Sequence, residues 1–190
     1  RQKAQLGFLP THQQIVVEWF QDEMSDLNIV IHAPFGGRVN ACWALALISS
    51  LEKQYQTEIR WSYNDDGILI RLLAMVEPPA LEQLFQIPVH EIEHLLKKAL
   101  TVSPLFAIQF RYNAARALLL ERSHPGKRIP LWLQRLRAAD LLETVRDLQD
   151  FPIILETYRS CLEDIFDLPA LFKLIKNICK LKLKKLCVLR

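Results

Sequence analysis

The hydrophobic period of this chain changes after residue 76, and that change limits the folds open to it. Before it, the apolar runs are short and rich in β-branched and aromatic residues. They are Ile15-Val16-Val17-Glu18-Trp19-Phe20, Asn28-Ile29-Val30-Ile31-His32, Glu58-Ile59-Arg60-Trp61-Ser62 and Ile68-Leu69-Ile70-Arg71-Leu72. Such side chains suit a pleated surface, so four strands are predicted. Asp22 to Asp26 supplies a polar connection of hairpin length between the first two. Asn64-Asp65-Asp66-Gly67 joins the last two, and its Asp-Gly pair tolerates the positive φ of a tight hairpin. Between the pairs, after Pro34, Gly36 and Gly37, the residues Val39, Cys42, Trp43, Ala46, Leu47 and Leu51 recur at helical spacing. Beyond Glu77-Pro78-Pro79 the helical period takes over, with helices predicted over 80–86, 88–100, 104–121, 130–148 and 153–166. Pro169 opens a last amphipathic helix. The predicted fold class is α+β: an N-terminal ββαββ antiparallel sheet with a helix on one face, over about 9–76, followed by a helical C-terminal half over about 80–172. Residues 173–190 form a lysine-rich amphipathic tail.

The 190 residues are 51% hydrophobic and 24% charged, which is enough apolar surface for a sizeable core and excludes a disordered chain. Four cysteines without a CxxC pair do not make a disulfide scaffold; they suit the reducing cytoplasm. No apolar run approaches about 18 residues, so no spanning helix and no membrane partner is expected. Arg1-Gln2-Lys3 lacks both a signal-peptide apolar region and an initial methionine, so a piece of a longer chain is expected.

The net charge of +3 conceals an asymmetry. Residues 1–100 carry 8 basic and 12 acidic side chains, and residues 101–190 carry 16 and 9. The basic excess lies in 111–146 and again in 173–190, which holds no acid. Basic stretches of this kind are either solvated helix faces or surfaces for phosphates or acidic partners. The first interleaves Arg111, Arg116, Arg128 and Arg135 with Tyr112 and Trp132, giving guanidinium forks for phosphates and flat rings for bases. In the tail, Lys173, Lys176, Lys180 and Lys184 form nearly one helical stripe. This describes a core-packing helix with a lysine face more readily than a cationic membrane-surface helix.

Catalytic patterns are weak. His90-Glu91-Ile92-Glu93-His94 fits the HExxH zinc-protease pattern, in which two histidines on one helix face hold the metal and the glutamate acts as base. Here the apolar face is Val89, Ile92, Leu95, Leu96 and Ala99, which turns His90 and His94 to the wetter side, so a surface helix is expected and no metal. Gly126-Lys127 lacks the first glycine and the Ser/Thr of a phosphate loop, so no ATP or Mg²⁺ site is expected in this chain. There is no GxSxG elbow, and Cys161 is expected in the core. His32, before Ala33-Pro34-Phe35, is either a base or a hydrogen-bonded structural residue.

Five blocks, in order, carry a resemblance. The stretch from His32 through Pro34, Phe35, Gly36 and Arg38 to Trp43-Ala44-Leu45-Ala46-Leu47 resembles the HxPFGxRVxxxWALAL block of the DEAD/H-associated domain of Lhr-type ATP-dependent helicases. Asp65-Asp66-Gly67-Ile68 resembles its DDGI hairpin, and Phe110 to Leu119 its FRxxAARALLL helix. Pro125 to Trp132 resembles its PGxRxPLW loop, and Glu156 to Asp164 its ETYRECLxD helix. The resemblance covers roughly residues 9–172. It implies an accessory domain that lies beside two motor domains and a winged helix and helps to form a channel for single-stranded DNA or RNA. It also implies that ATP and Mg²⁺ are used elsewhere in the parent chain. The motor is missing here, so a fragment, a split or a decayed gene product is expected.

No catalytic residue and no cofactor is therefore expected in the chain itself. Arg111, Arg116, Arg128, Trp132 and Arg135 are the candidate nucleic-acid contacts, with the Arg128–Trp132–Arg135 cluster the stronger. Trp132 is either a stacking platform or a core anchor beneath its loop. The family-motif residues His32, Phe35, Gly36, Arg38, Trp43, Asp65, Asp66 and Gly67 are expected to be structural. The alternative function is a protein-interaction module that docks on other helicase domains without touching nucleic acid.

Overall fold

The computed structural model describes residues 14–55, 59–72, 87–121, 123–124, 126–148, 150–178 and 182–187. The chain divides into two compact units, a sheet unit of residues 1–96 and 166–190 and a helical unit of residues 97–165.

The sheet unit begins with β1 (Gln14–Gln21) and β2 (Leu27–His32), an antiparallel hairpin pairing Trp19 with Ile29 and Val17 with Ile31. Helix α1 (Gly37–Tyr55) follows, then β3 (Ile59–Tyr63) and β4 (Gly67–Leu72). β4 pairs antiparallel with both β3 and β2, so the predicted ββαββ arrangement is present. β-branched residues occupy every second position, and cross-strand neighbours such as Ile29–Ile70 and Ile31–Ile68 are buried together. α1 packs on β3 and β4. Its burial exceeds a single face: Ala41, Ala44 and Ile48 are enclosed along with Val39, Cys42, Trp43, Ala46, Leu47 and Leu51. A helix apolar on all sides needs cover on both. That second cover is α6 (Leu168–Ile178), which packs against α1 and buries Leu171 and Ile175.

The tail departs from the sequence expectation. The helix ends at Ile178, and Lys182–Cys187 is a strand, β7, that pairs parallel with β1. The sheet is therefore five-stranded and mixed, in the order β3-β4-β2-β1-β7. At the start of the strand, Lys182-Leu183-Lys184 alternates charge and apolar character at a period of two, which is the strand period. The stripe of lysines at helical spacing was the misleading signal.

Helix α2 (Val89–Thr101) runs from the sheet unit into the helical one and buries Ile92, Leu96 and Leu100, one residue per turn. The helical unit continues with α3 (Pro104–Arg116), α4 (Leu131–Val145) and α5 (Pro152–Arg159). Ser103 caps α3: its Oγ accepts the Phe106 amide at 3.2 Å, and Pro104 takes the first turn, where no donor is needed. α3 stops at Arg116, short of the predicted residue 121, and Leu118 then adopts a left-handed φ of 60°. Between α3 and α4, where a loop is expected, lies a two-stranded hairpin, β5 (Ser123–His124) and β6 (Lys127–Arg128). Gly126 turns it at φ 79°, a conformation that L side chains rarely adopt. The predicted helix over 153–166 starts at Pro152 and changes to π-helical hydrogen bonding over Ser160–Ile165. The expected helix over 80–86, the Glu77-Pro78-Pro79 boundary and the beginning of the sheet part at about residue 9 lie outside the described residues.

Candidate nucleic-acid interface

In the sheet unit the motif residues hold two loops together. Asp65 Oδ1 accepts the Gly37 amide at 2.7 Å, placing a carboxylate at the N-terminus of α1, where it complements the helix dipole. The Gly36 amide donates to the Asp65 carbonyl at 3.1 Å, and the Ala33 amide donates to the Asp66 carbonyl at 2.8 Å. Asn64 Oδ1 accepts the amides of Asp66 and Gly67, closing the hairpin. A Cβ on Gly67 would overlap the Ile31 carbonyl, so the close pairing with β2 requires glycine there. Arg38 donates to the Phe166 carbonyl at 2.8 Å, tying α1 to the chain that enters α6. Trp43 is 1% exposed and Phe35 half-buried.

His32 Nε2 lies 3.2 Å from Glu18 Oε1 but makes no hydrogen bond, so the contact becomes an ion pair only when the imidazole is protonated. Sequence reasoning missed Asn40. Fully buried, it donates from Nδ2 to the carbonyls of Ala33 and Asn64 at 2.8 and 2.9 Å, joining the motif loop to the hairpin from inside. A polar residue at an unspecified position of the block, between Val39 and the apolar Ala41-Cys42-Trp43, was the available signal.

The two buried described thiols are unsuited to attack. Burial, aided by the Asp167 charge, pushes Cys42 up to about 12, and burial alone takes Cys161 to about 11, so both stay protonated at neutral pH. On α2, His90 is 82% exposed, with its Nε2 4.0 Å from Glu91, and His94 is exposed as well. Among the described residues no group of three metal-binding side chains converges.

The basic residues of the helical unit fall into two sets. Arg159 is occupied internally: it donates to Glu156 at 2.7 and 2.9 Å and to Asp164 at 3.0 and 3.2 Å. Its hydrogen bonds hold the Glu156 carboxyl below the ordinary value. Arg137 lies 3.7 Å from Glu121. By contrast Arg111, Arg128 and Arg135 make no ion pair among the described residues.

Packing of α3 on α4 places Arg111 and Arg135 on one groove of about 870 Å³, together with Tyr112, Glu143 and Arg146. Arg111 lies over the Tyr112 ring, 5.0 Å from its centroid. Arg146 went unnoticed in the sequence although it sits eleven residues after Arg135, three turns along the same stripe of α4. Arg128 is exposed on β6, and Trp132, in the first turn of α4, is 65% exposed. That exposure favours the stacking platform over the core anchor. Arg116 is exposed at the end of α3 and helps to lower Glu156. Arg122, in the same stretch, lies outside the described residues.

The sheet unit, held by a hairpin-to-helix clamp, and the helical unit, with its exposed basic side chains, make up an α+β protein. A family model described as DEAD/H associated matches residues 9–187, and the chain belongs to that family. It is 43% identical over 183 residues to the Lhr helicase/probable uracil glycosylase of Mycolicibacterium smegmatis (strain ATCC 700084 / mc(2)155), covering 96% of this chain and 12% of that one. It is 38% identical over 177 residues to the Lhr helicase/uracil glycosylase of Escherichia coli (strain K12), covering 93% and 12%. With the ATP-dependent helicase Lhr-Core of Methanothermobacter thermautotrophicus the identity is 29%, over 90% of this chain and 20% of that relative. The structure of Mycobacterium smegmatis helicase Lhr bound to ssDNA and AMP-PNP superposes with a TM-score of 0.84 at 40% identity, over all of this chain and 24% of that one. The chain thus spans about an eighth to a quarter of the proteins it matches, as a domain of an Lhr-type helicase.

Proposed function

We propose that this domain grips single-stranded nucleic acid without sequence preference through Arg128, Trp132 and Arg135, and braces the motor and winged-helix domains of its parent helicase. ATP and Mg²⁺ serve that parent's motor, and this chain contributes no catalytic group. The observation that carries the proposal is the exposure of Trp132 on the same helix as Arg135 and just after Arg128, neither of which makes an ion pair among the described residues. An exposed indole with guanidiniums on both sides in sequence suits a stacked base with its flanking phosphates. Arg111 and Arg116 extend the basic surface along α3. The solved M. smegmatis relative, bound to ssDNA, supports a single strand as the ligand.

The test is fluorescence anisotropy of labelled oligo-dT across a salt series. Affinity should fall with salt, with a log–log slope of about −0.7 for each phosphate neutralised. Replacing both Arg128 and Arg135 with Ala should reduce that slope by about 1.4, the share of two phosphates. A double variant that binds oligo-dT as tightly as the parent at low salt would remove this cluster as the site.

A further inference from the structure

The groove between α3 and α4 differs in chemistry from the Trp132 surface. Apart from its charged rim it is apolar: Ala107, Ile108, Ala138 and Leu142 line it, and Ile108 remains 46% exposed. Three arginines, Arg111, Arg135 and Arg146, stand on the rim against one carboxylate, Glu143.

We infer that this groove seats an amphipathic helix whose apolar stripe is flanked by acidic residues. Charge complementarity selects the occupant. A nucleic-acid strand carries a negative charge at every step and would have to pass Glu143 while its phosphates covered Ala107, Ile108 and Leu142. A helix presents discrete side chains. It can set an acid against each arginine, leave the place beside Glu143 uncharged, and lay aliphatic groups at i, i+3 and i+4 on the floor. The groove volume is within the roughly 300–1,000 Å³ of a binding cleft, and the small Ala107, Ala138 and Ala139 allow close approach of a second helix. The inference concerns a different class of partner from the Trp132 proposal, and Arg111 and Arg135 border both surfaces.

The test uses the 190-residue chain and a labelled peptide of about 18 residues, long enough to be helical in water, with leucines at i, i+3, i+4 and i+7 and glutamates beside them. A control peptide carries lysine in place of each glutamate. The glutamate peptide should bind saturably, and the lysine peptide about tenfold or more weaker. Ala139→Trp, at an exposed position, fills the groove and should abolish peptide binding while leaving oligo-dT binding unchanged; Ile108→Glu should also abolish peptide binding, by charge. Equal binding of the two peptides, or none by the glutamate peptide, would overturn the inference. So would displacement of the peptide by oligo-dT together with loss of oligo-dT binding in Ala139→Trp, an outcome that makes the groove a nucleic-acid site. The Trp132 proposal fails separately, if Trp132→Ala, at a residue outside the groove lining, binds oligo-dT as tightly as the parent.

Discussion

In the sheet unit, the residues that stand out in the sequence are engaged inside the fold. Asp65 caps α1, Arg38 reaches the Phe166 carbonyl, Gly67 lies against β2 and Trp43 is enclosed between elements. In the helical unit the block residues divide: Trp132, Arg128 and Arg135 face solvent and Arg111 borders a groove, whereas Phe110 and Thr157 are buried and Arg159 is held by Glu156 and Asp164. Both units carry family blocks of similar sharpness. A motif's strength therefore does not say whether it serves folding or recognition; burial and hydrogen-bond partners do. Asp65 and Arg128 are both charged motif residues, yet only Arg128 is left with its full binding capacity.

The sharpest way to break this contrast is a pair of tryptophan truncations. Trp43→Ala removes a fully enclosed ring and should cost about 3–5 kcal/mol in urea denaturation. Unchanged melting with lost oligo-dT binding would make Trp43 a recognition residue and erase the difference between the units. Trp132→Ala should behave in the opposite way, weakening oligo-dT by about 1–3 kcal/mol while shifting stability by less than about 0.5 kcal/mol.

Acid provides a smaller, graded test. Hydrogen bonding to Arg159 depresses Glu156 below its ordinary 4.5, so the contact stabilises the fold above the unfolded value and is lost as pH falls through the lower folded one. The helical unit should therefore weaken below about pH 4.5, and Glu156→Gln should flatten that loss while costing at most about 1 kcal/mol at neutral pH, since the pair is exposed. In the sheet unit, burial works to raise Asp22, but the Asn28 side chain, the Asp26 and Met24 amides and Arg71 outweigh it and lower its value. That unit should weaken over the same acid range. A helical unit whose acid transition does not respond to Glu156→Gln would show that the exposed network contributes nothing there.

The smallest effect belongs to the HExxH decoy. Replacing both His90 and His94 with Gln should change stability by no more than about 0.5 kcal/mol, read from a melting curve. Stoichiometric zinc in the parent protein that disappears in this variant would instead establish a metal site on α2.

How much of this was legible in the sequence depends on the range over which each feature is decided. The short apolar run Ile68-Leu69-Ile70 and the Asn64-Asp65-Asp66-Gly67 turn are local, and strands with their hairpin followed from such features. The helical faces of α1 and α2 were equally readable, because burial at every third or fourth position leaves its mark on a single segment. The tail shows where local patterning becomes ambiguous: its lysines satisfy a helical stripe up to Lys176 and a strand alternation at Lys182-Leu183-Lys184. Pairing with β1, far away in the sequence, decided between them.

What the sequence determined by itself is the fold class, the position of the blocks and the supply of cations in 111–146, all properties of composition and spacing. What only the tertiary structure decided is which of those side chains remain available. Arg159 and Arg128 are alike as letters, but Arg159 meets Glu156 and Asp164 while Arg128 meets no carboxylate among the described residues. Arg111 and Arg135, 24 positions apart, share a groove only because α3 packs on α4. The physical reason is that availability depends on the neighbours a side chain acquires in space, and those neighbours come from segments whose approach no local pattern encodes.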